Sequence, residues 1–323
     1  MSNNLSIYFK SIQLASAGCT IVSSLLSIFG ALVILWTYWR VSSLRNFQRT
    51  LLIWLTVADL LTASGYLFGT IDFVSNNGTN NDVCIAQSIV TTFASMASFL
   101  WTVIISVHMM IAIQFRSDKT RSVILKVLYH VICWGVPGVI TIVAGLKEVL
   151  GRTSDTNTAV TGTWCWIKDD ITYTERIKWM LLAGKGWEIL CYILSFSILA
   201  LLKLKLYLSR SRLSELETDF RDEDTNYLYL WLLLWLLRVW GTIRFILVLF
   251  KHANDFESLT SPQSIGDIAL IILQSIGDSA QAFGNCVLFC FFDKVVVAYI
   301  KDTCISSKCE KVEHERLIPT SEG

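Results

Sequence analysis

Hydrophobic residues in this chain fall into long blocks, without the two-residue alternation of a half-buried strand. Seven blocks stand out, at 12–38, 50–74, 84–114, 123–146, 177–202, 227–250 and 265–292. About 20 mainly apolar residues in helical form cross the roughly 30 Å hydrocarbon core of a bilayer. In that core every backbone amide must be bonded within its own segment, so helices are the reading. No run shows the short alternating pattern of a membrane barrel strand. The expected fold class is an all-α membrane protein, a seven-transmembrane helix bundle. The blocks at 84–114 and 265–292 are the more polar two and are expected to be shielded by their neighbours.

The polar segments between blocks set the orientation. Most Lys and Arg lie in 40–49, 116–126, 203–221 and 294–316; the alternate segments carry fewer, such as Lys147, Arg152 and Lys168. Cytoplasmic loops are enriched in Lys and Arg, which predicts the N-terminus outside and the C-terminus cytoplasmic. The sequons Asn4-Leu5-Ser6 and Asn77-Gly78-Thr79 both fall on the expected outer side, where glycosylation occurs. No basic segment precedes the first block, so it is expected to insert as its own signal anchor. The resulting division is a short extracellular segment at 1–11, a membrane domain at 12–292 and a cytoplasmic tail at 293–323, with a short amphipathic helix at 294–302. The N-terminal segment is too short to fold alone, so a small ligand must be bound by the bundle and its outer loops.

Composition sharpens this picture. Of 323 residues, 53% are hydrophobic and 16% charged, against about a quarter charged in soluble domains. The net charge of +1 gives no basic surface for nucleic acid. Cys84 begins the third block and Cys165 lies in the loop between the fourth and fifth. Both face an oxidising compartment in the predicted topology. A bridge between them would pin that loop over the bundle mouth; two free thiols is the alternative. Cys304 and Cys309 follow the expected amphipathic helix and are candidate palmitoylation sites.

Ionisable and polar residues inside spans are costly, and each is a functional hypothesis. Asp59 lies in the middle of the second block. Gln274, Asp278, Gln281 and Asn285 recur at spacings of four, three and four along the seventh, which places them on one helix face. Asp59 and Asn285 are candidates for a shared water-filled or sodium-binding pocket; an ordinary interhelical hydrogen bond is the alternative. Lys185 and Glu188 are spaced to pair on the fifth block, and Arg238 or Arg244 on the sixth is a candidate to reach Glu188 or Asp278. The functional reading of these charges is a ligand pocket or switch, and the bland one is a structural ion pair.

Longer strings carry a resemblance. Trp101-Thr102-Val103, Trp134-Gly135-Val136-Pro137, Trp164-Cys165-Trp166-Ile167, Gly184-Lys185 with Trp187-Glu188, and Leu237-Arg238-Val239-Trp240 with Ile243-Arg244-Phe245 together resemble the orphan G protein-coupled receptor 157 group. That group is similar to the cyclic-AMP receptors of slime moulds and more distantly to secretin-type receptors. The resemblance implies a receptor for an extracellular ligand that activates heterotrimeric G proteins through Gq and phospholipase C, at the plasma or ciliary membrane. It also implies a Cys84–Cys165 bridge. No ligand follows from it. The inner end of the third block reads Ala112-Ile113-Gln114-Phe115-Arg116, with no Asp/Glu-Arg-Tyr, and the seventh block lacks Asn-Pro-x-x-Tyr. Arg116 is the candidate G-protein contact.

Other seven-helix functions fit less well. A small-molecule transporter often shows internal repeats and matched helix breaks, and one interior proline, Pro137, does not supply them. A metallohydrolase needs several His and Asp at ligand spacing, whereas two of the four His, His252 and His314, lie in loop and tail. A retinal protein needs a Schiff-base Lys in the seventh block, which has none before Lys294. No catalytic residues, metal or cofactor other than sodium near Asp59 are therefore expected.

Overall fold

The computed structural model describes residues 2–76, 81–115, 123–152, 163–168, 170–208, 227, 229–253, 265–293, 296–299 and 301. Helices α1 (Ser2–Arg40), α2 (Phe47–Asn76), α3 (Asn81–Phe115), α4 (Val123–Leu146), α5 (Tyr173–Leu201) and α6 (Leu230–Ala253) each contain a stretch long and apolar enough to cross a membrane. The block expected as one continuous helix at 265–292 is instead two shorter apolar helices, α7 (Ile265–Gly277) and α8 (Gln281–Phe291), with a break at 278–280. The all-α expectation also needs a small correction. Leu150–Gly151 (β1) and Trp166–Ile167 (β2) pair antiparallel between α4 and α5, with Leu150 opposite Ile167. Of the expected amphipathic helix at 294–302, residues 296–299 and 301 are helical and the remainder lie outside the described residues.

The break between α7 and α8 sits at a close contact with α6. A side chain at Gly277 would place its Cβ 1.8 Å from the carbonyl oxygen of Leu237. Glycine alone lets α7 approach the α6 backbone this closely. At the next residue, Arg238 donates through Nη2 to the main-chain carbonyl of Asp278 at 3.1 Å, so a side chain takes over a group that helix continuation would bond. Helix α1 supplies further compensation. Ser23 Oγ donates to the carbonyl of Ile276 at 2.7 Å, and the amide of Phe283 donates to Ser27 Oγ at 3.2 Å. Ser16 Oγ meets Ser275 Oγ at 2.6 Å. These hydroxyls lie along one stripe of α1, which is how small polar residues hold helices together where lipid gives no hydrophobic drive.

Pro137 explains a second irregularity. Its ring lacks an N–H and collides with the carbonyl four residues before it, and the turn directly preceding it, Val131–Gly135, widens to π geometry. A further π turn, Leu181–Lys185, lies in α5. Burial is opposite to that of a soluble bundle. Helix α3 is enclosed by its neighbours, with Ala97, Ser98 and Trp101 fully buried, while α4 exposes Val123, Ile124, Val139 and Leu146. The main apolar core joins α1, α2, α3 and α8 around Ile34, Leu52, Trp101 and Phe289. A smaller one packs Val149, Ile167, Met180 and Phe245 beneath the β1–β2 hairpin.

Candidate functional site

Below the β1–β2 hairpin, side chains from α2, α3, α5, α6 and the α7–α8 break enclose a cavity of about 50 Å³. Its lid is the segment between α4 and α5. A disulfide joins Cys84, near the start of α3, to Cys165, next to β2. Beside it, the Cys165 amide donates to Gln87 Oε1 at 2.9 Å. These two ties set Trp164 and Trp166 over the cavity, with Trp164 packed edge-on to Tyr66 of α2 at 5.0 Å. The Trp166 indole lies close enough to α5 that a Cβ at Gly184 would meet it at 2.7 Å.

The walls carry charge from three helices. Lys185 Nζ donates to Glu188 Oε2 at 2.9 Å, and both are buried. The other Glu188 oxygen accepts from Tyr192 Oη at 2.8 Å and from Thr242 Oγ1 of α6. Arg238 of α6 lies over the Phe99 ring at 4.9 Å. Of its donors, Nη2 goes to the Asp278 carbonyl, while Nε has no hydrogen-bond partner. Asp278 Oδ2 accepts from Gln274 Nε2 at 3.0 Å, and Oδ1 has no hydrogen-bond partner. Gln274 in turn accepts from Arg244 Nη1. The arrangement holds two cations and two carboxylates in a buried space, with one guanidinium nitrogen and one carboxylate oxygen unused. Unused buried polar atoms are costly, and a cavity lined by them favours a polar occupant, water or ligand.

Deeper in the bundle, Asp59 accepts from Ser98 Oγ at 2.5 Å and from Asn285 Nδ2 at 2.8 Å. This links α2, α3 and α8 directly. Gln281, one turn away, is buried with both amide atoms unpartnered.

The structure thus brings Lys185, Glu188, Arg238 and Asp278 to one cavity and Asp59 to Asn285. Arg238 reaches the main chain of Asp278, not its carboxylate, and Arg244 sits behind the wall on Gln274. No side chain is described at Asn4, and Asn77, Arg116, Cys304 and Cys309 lie outside the described residues. Among the described residues no three His, Cys, Asp or Glu side chains are grouped to hold a metal ion.

Sequence reasoning passed over several participants. Thr242, Tyr192, Ser98 and Gln87 are ordinary polar residues in sequence, and only the fold aims them at a charge. Arg49 is the larger omission. It reads as one more loop cation, yet it is fully buried. Its Nη2 donates to the Phe289 carbonyl at 2.9 Å, Nη1 is 3.5 Å from Asp293 Oδ2, and Cζ lies 5.5 Å from the Phe289 ring centre. The available signal was Asn46, whose Oδ1 accepts from the Arg49 amide at 2.7 Å. An Asn three residues before Arg49 caps the helix and so places Arg49 inside α2.

Several apolar helices around a buried polar cavity define the class, a multi-pass helical membrane protein. The comparisons give the family. The model described as slime mold cyclic AMP receptor matches residues 9–259, and the chain belongs to that family of receptors. It is 30% identical to G-protein coupled receptor 157 of Homo sapiens over 88% of this chain and 82% of that protein. The corresponding Mus musculus receptor is 31% identical over 88% of this chain and 84% of its own length. Cyclic AMP receptor-like protein A of Dictyostelium discoideum is 22% identical over 86% of this chain and 65% of that protein.

Proposed function

We propose that this protein is a G-protein-coupled receptor, at the plasma or ciliary membrane, that signals to heterotrimeric G proteins through Gq and phospholipase C. The α7–α8 pair is its seventh span, the N-terminus is outside, and the cavity under Trp164 and Trp166 is its ligand site. One observation carries this reading: charges from α5, α6 and the α7–α8 break meet in a single buried cavity under a disulfide-pinned lid. A ligand in that cavity contacts all three helices, so it can favour one of two bundle packings through differential contacts alone. The packing change opens the opposite ends of α3, α5 and α6 to the G protein, with Arg116 as a contact. The test is G-protein dissociation in cells across a panel of G-protein classes at matched surface expression. Signal above an empty-vector control in the Gq class, lost in Arg116→Ala, is expected. Silence across the panel and across a ligand library would overturn the receptor reading.

The orientation has its own check. An endoglycosidase should lower the mass of the wild-type chain, and the combined Asn4→Gln and Asn77→Gln variant should show no such drop. A sodium ion at Asp59 is a separate proposal, resting on the Asp59 carboxylate, Ser98 Oγ and the unpartnered Oδ1 of Asn285. Sodium chloride should raise thermal stability above that in choline chloride, and Asp59→Asn should abolish the difference. A small-molecule transporter is the second reading, favoured by the α7–α8 break, since transporter sites use discontinuous helices. Radiolabelled uptake by the chain without any G-protein response would select it.

A further inference from the structure

A second cavity, of about 420 Å³, opens at the Arg49 end of the bundle between α2, α3 and α4. Its wall includes Arg45, Phe47, Trp54, Trp101, Lys126 and His130, and among the described residues contains no Asp or Glu. The floor is aromatic. Trp101 is fully buried, with its ring 5.2 Å from His130, and His130 lies 4.7 Å from Trp54. The Trp101 Nε1–H has no hydrogen-bond partner. A buried donor left unused in an apolar setting costs free energy until an acceptor arrives.

The mouth is cationic. Lys126 is exposed, with its Nζ 5.1 Å from the centre of the Phe47 ring. Arg45 donates to the carbonyls of Tyr38 and Trp39, which holds its positive charge at the end of α1. Around Lys126, α4 presents Val123, Ile124 and Val127, which are 71%, 80% and 56% exposed. Cations set among outward-facing apolar residues mark the boundary between hydrocarbon and headgroups. His130 lies one turn further along α4 than Lys126, about 6 Å deeper, so the unused Trp101 donor sits below the cationic mouth at roughly the depth of a lipid ester.

We propose that this cavity binds an anionic glycerophospholipid, with its phosphate between Lys126 and Arg45 and an ester carbonyl accepting from Trp101 Nε1. Basic pockets between spans on the cytoplasmic side suit anionic headgroups, and in the proposed orientation this mouth faces that leaflet. A choline headgroup is disfavoured, because its cation has no carboxylate partner among the described residues here and the Phe47 face already carries Lys126.

The test uses the full chain in nanodiscs of mixed phosphatidylcholine and phosphatidylserine, which present both leaflets and so do not depend on orientation. Native mass spectrometry reads the lipid retained. Wild type should retain phosphatidylserine preferentially, and Lys126→Gln should lower that retention about fivefold. Trp101→Phe should lower it too when compared at matched folded fraction, since shrinking this core side chain also lowers thermal stability. Lys147→Gln, an exposed cation at the other end of α4, should match wild type. Equal retention of the two lipids by wild type, or a Lys126→Gln value equal to that of Lys147→Gln, overturns the proposal. Displacement of the lipid by soluble glycerophosphate alone also overturns it, because the site then reads a free phosphate. No G-protein readout enters, so this outcome is separable from that of the receptor reading.

Discussion

Glu188 gathers three side-chain hydrogen bonds from two helices. It accepts from Lys185 and Tyr192 on its own helix and from Thr242 on α6. In Glu188→Gln the Lys185 ammonium is left buried without its counter-charge, and removing one partner of a buried pair costs about 3–5 kcal/mol. Thermal unfolding in detergent should show a lower Tm for Glu188→Gln than for the double variant Glu188→Gln with Lys185→Met, because the second change removes the stranded charge. A Tm for the double variant below both singles would mean that the pair is not the unit described. At this scale the sequence was informative where spacing alone decides. Lys185 and Glu188 are three apart on a helix and had to be neighbours. Arg238 was less legible, since its Asp278 carbonyl partner becomes available only once the helix breaks. Thr242 and Ser98 carried no signal at all, because a lone hydroxyl in an apolar block most often bonds its own helix.

At the scale of elements, the largest departure from the sequence reading is the interruption at 278–280. Gly277 sits against the Leu237 carbonyl at a distance that excludes any Cβ. Gly277→Ala should therefore push α7 off α6 and pull Arg238 away from Asp278. Overpacking costs typically 1–3 kcal/mol, and a backbone obstacle places this case at or above about 3. Gly18→Ala on α1 is the matched control, since nothing lies within 4 Å of its added Cβ. Surface expression and Tm should fall for the first and hold for the second. The block lengths predicted α2 to α6 to within a few residues because hydrocarbon thickness is a one-dimensional constraint, whereas α1 begins at Ser2, ten residues before the first block. They could not predict the break, because its cause lies on α6.

At the scale of the whole molecule, two distant ties bracket the bundle. One is the Cys84–Cys165 disulfide under the hairpin, spanning 81 residues of sequence. The other is Arg49, holding α2 to the last turn of α8 through Phe289 and Asp293. Removing the first with Cys84→Ala and Cys165→Ala should cost less than the roughly 2–4 kcal/mol typical of disulfides, because apolar spans stay helical in lipid when the lid is released. Hydrogen exchange at 163–168 should nevertheless accelerate, while exchange in α2 stays unchanged. Arg49→Gln acts at the other end. It removes the charge that joins α2 to Asp293, and basal G-protein dissociation at matched surface level should rise if that contact holds the resting packing. An unchanged basal signal with a lowered Tm would assign Arg49 to stability alone.

By itself the sequence determined the solvent this protein lives in, the number and rough extent of its apolar blocks, and a short register of expensive intramembrane residues. Each of these follows from local length, composition or helical spacing, so no fold is needed to read it. The tertiary structure decided which of those residues meet. It put Lys185, Glu188, Arg238 and Asp278 around one cavity, tied Asp59 to Asn285, buried Arg49, and broke the last apolar block at Gly277. The reason is physical: inside a bilayer every helix satisfies its own backbone, so the blocks are specified one at a time. The partners of a buried charge are specified only by how the helices rotate and approach one another, and side chains far apart in the chain set that rotation.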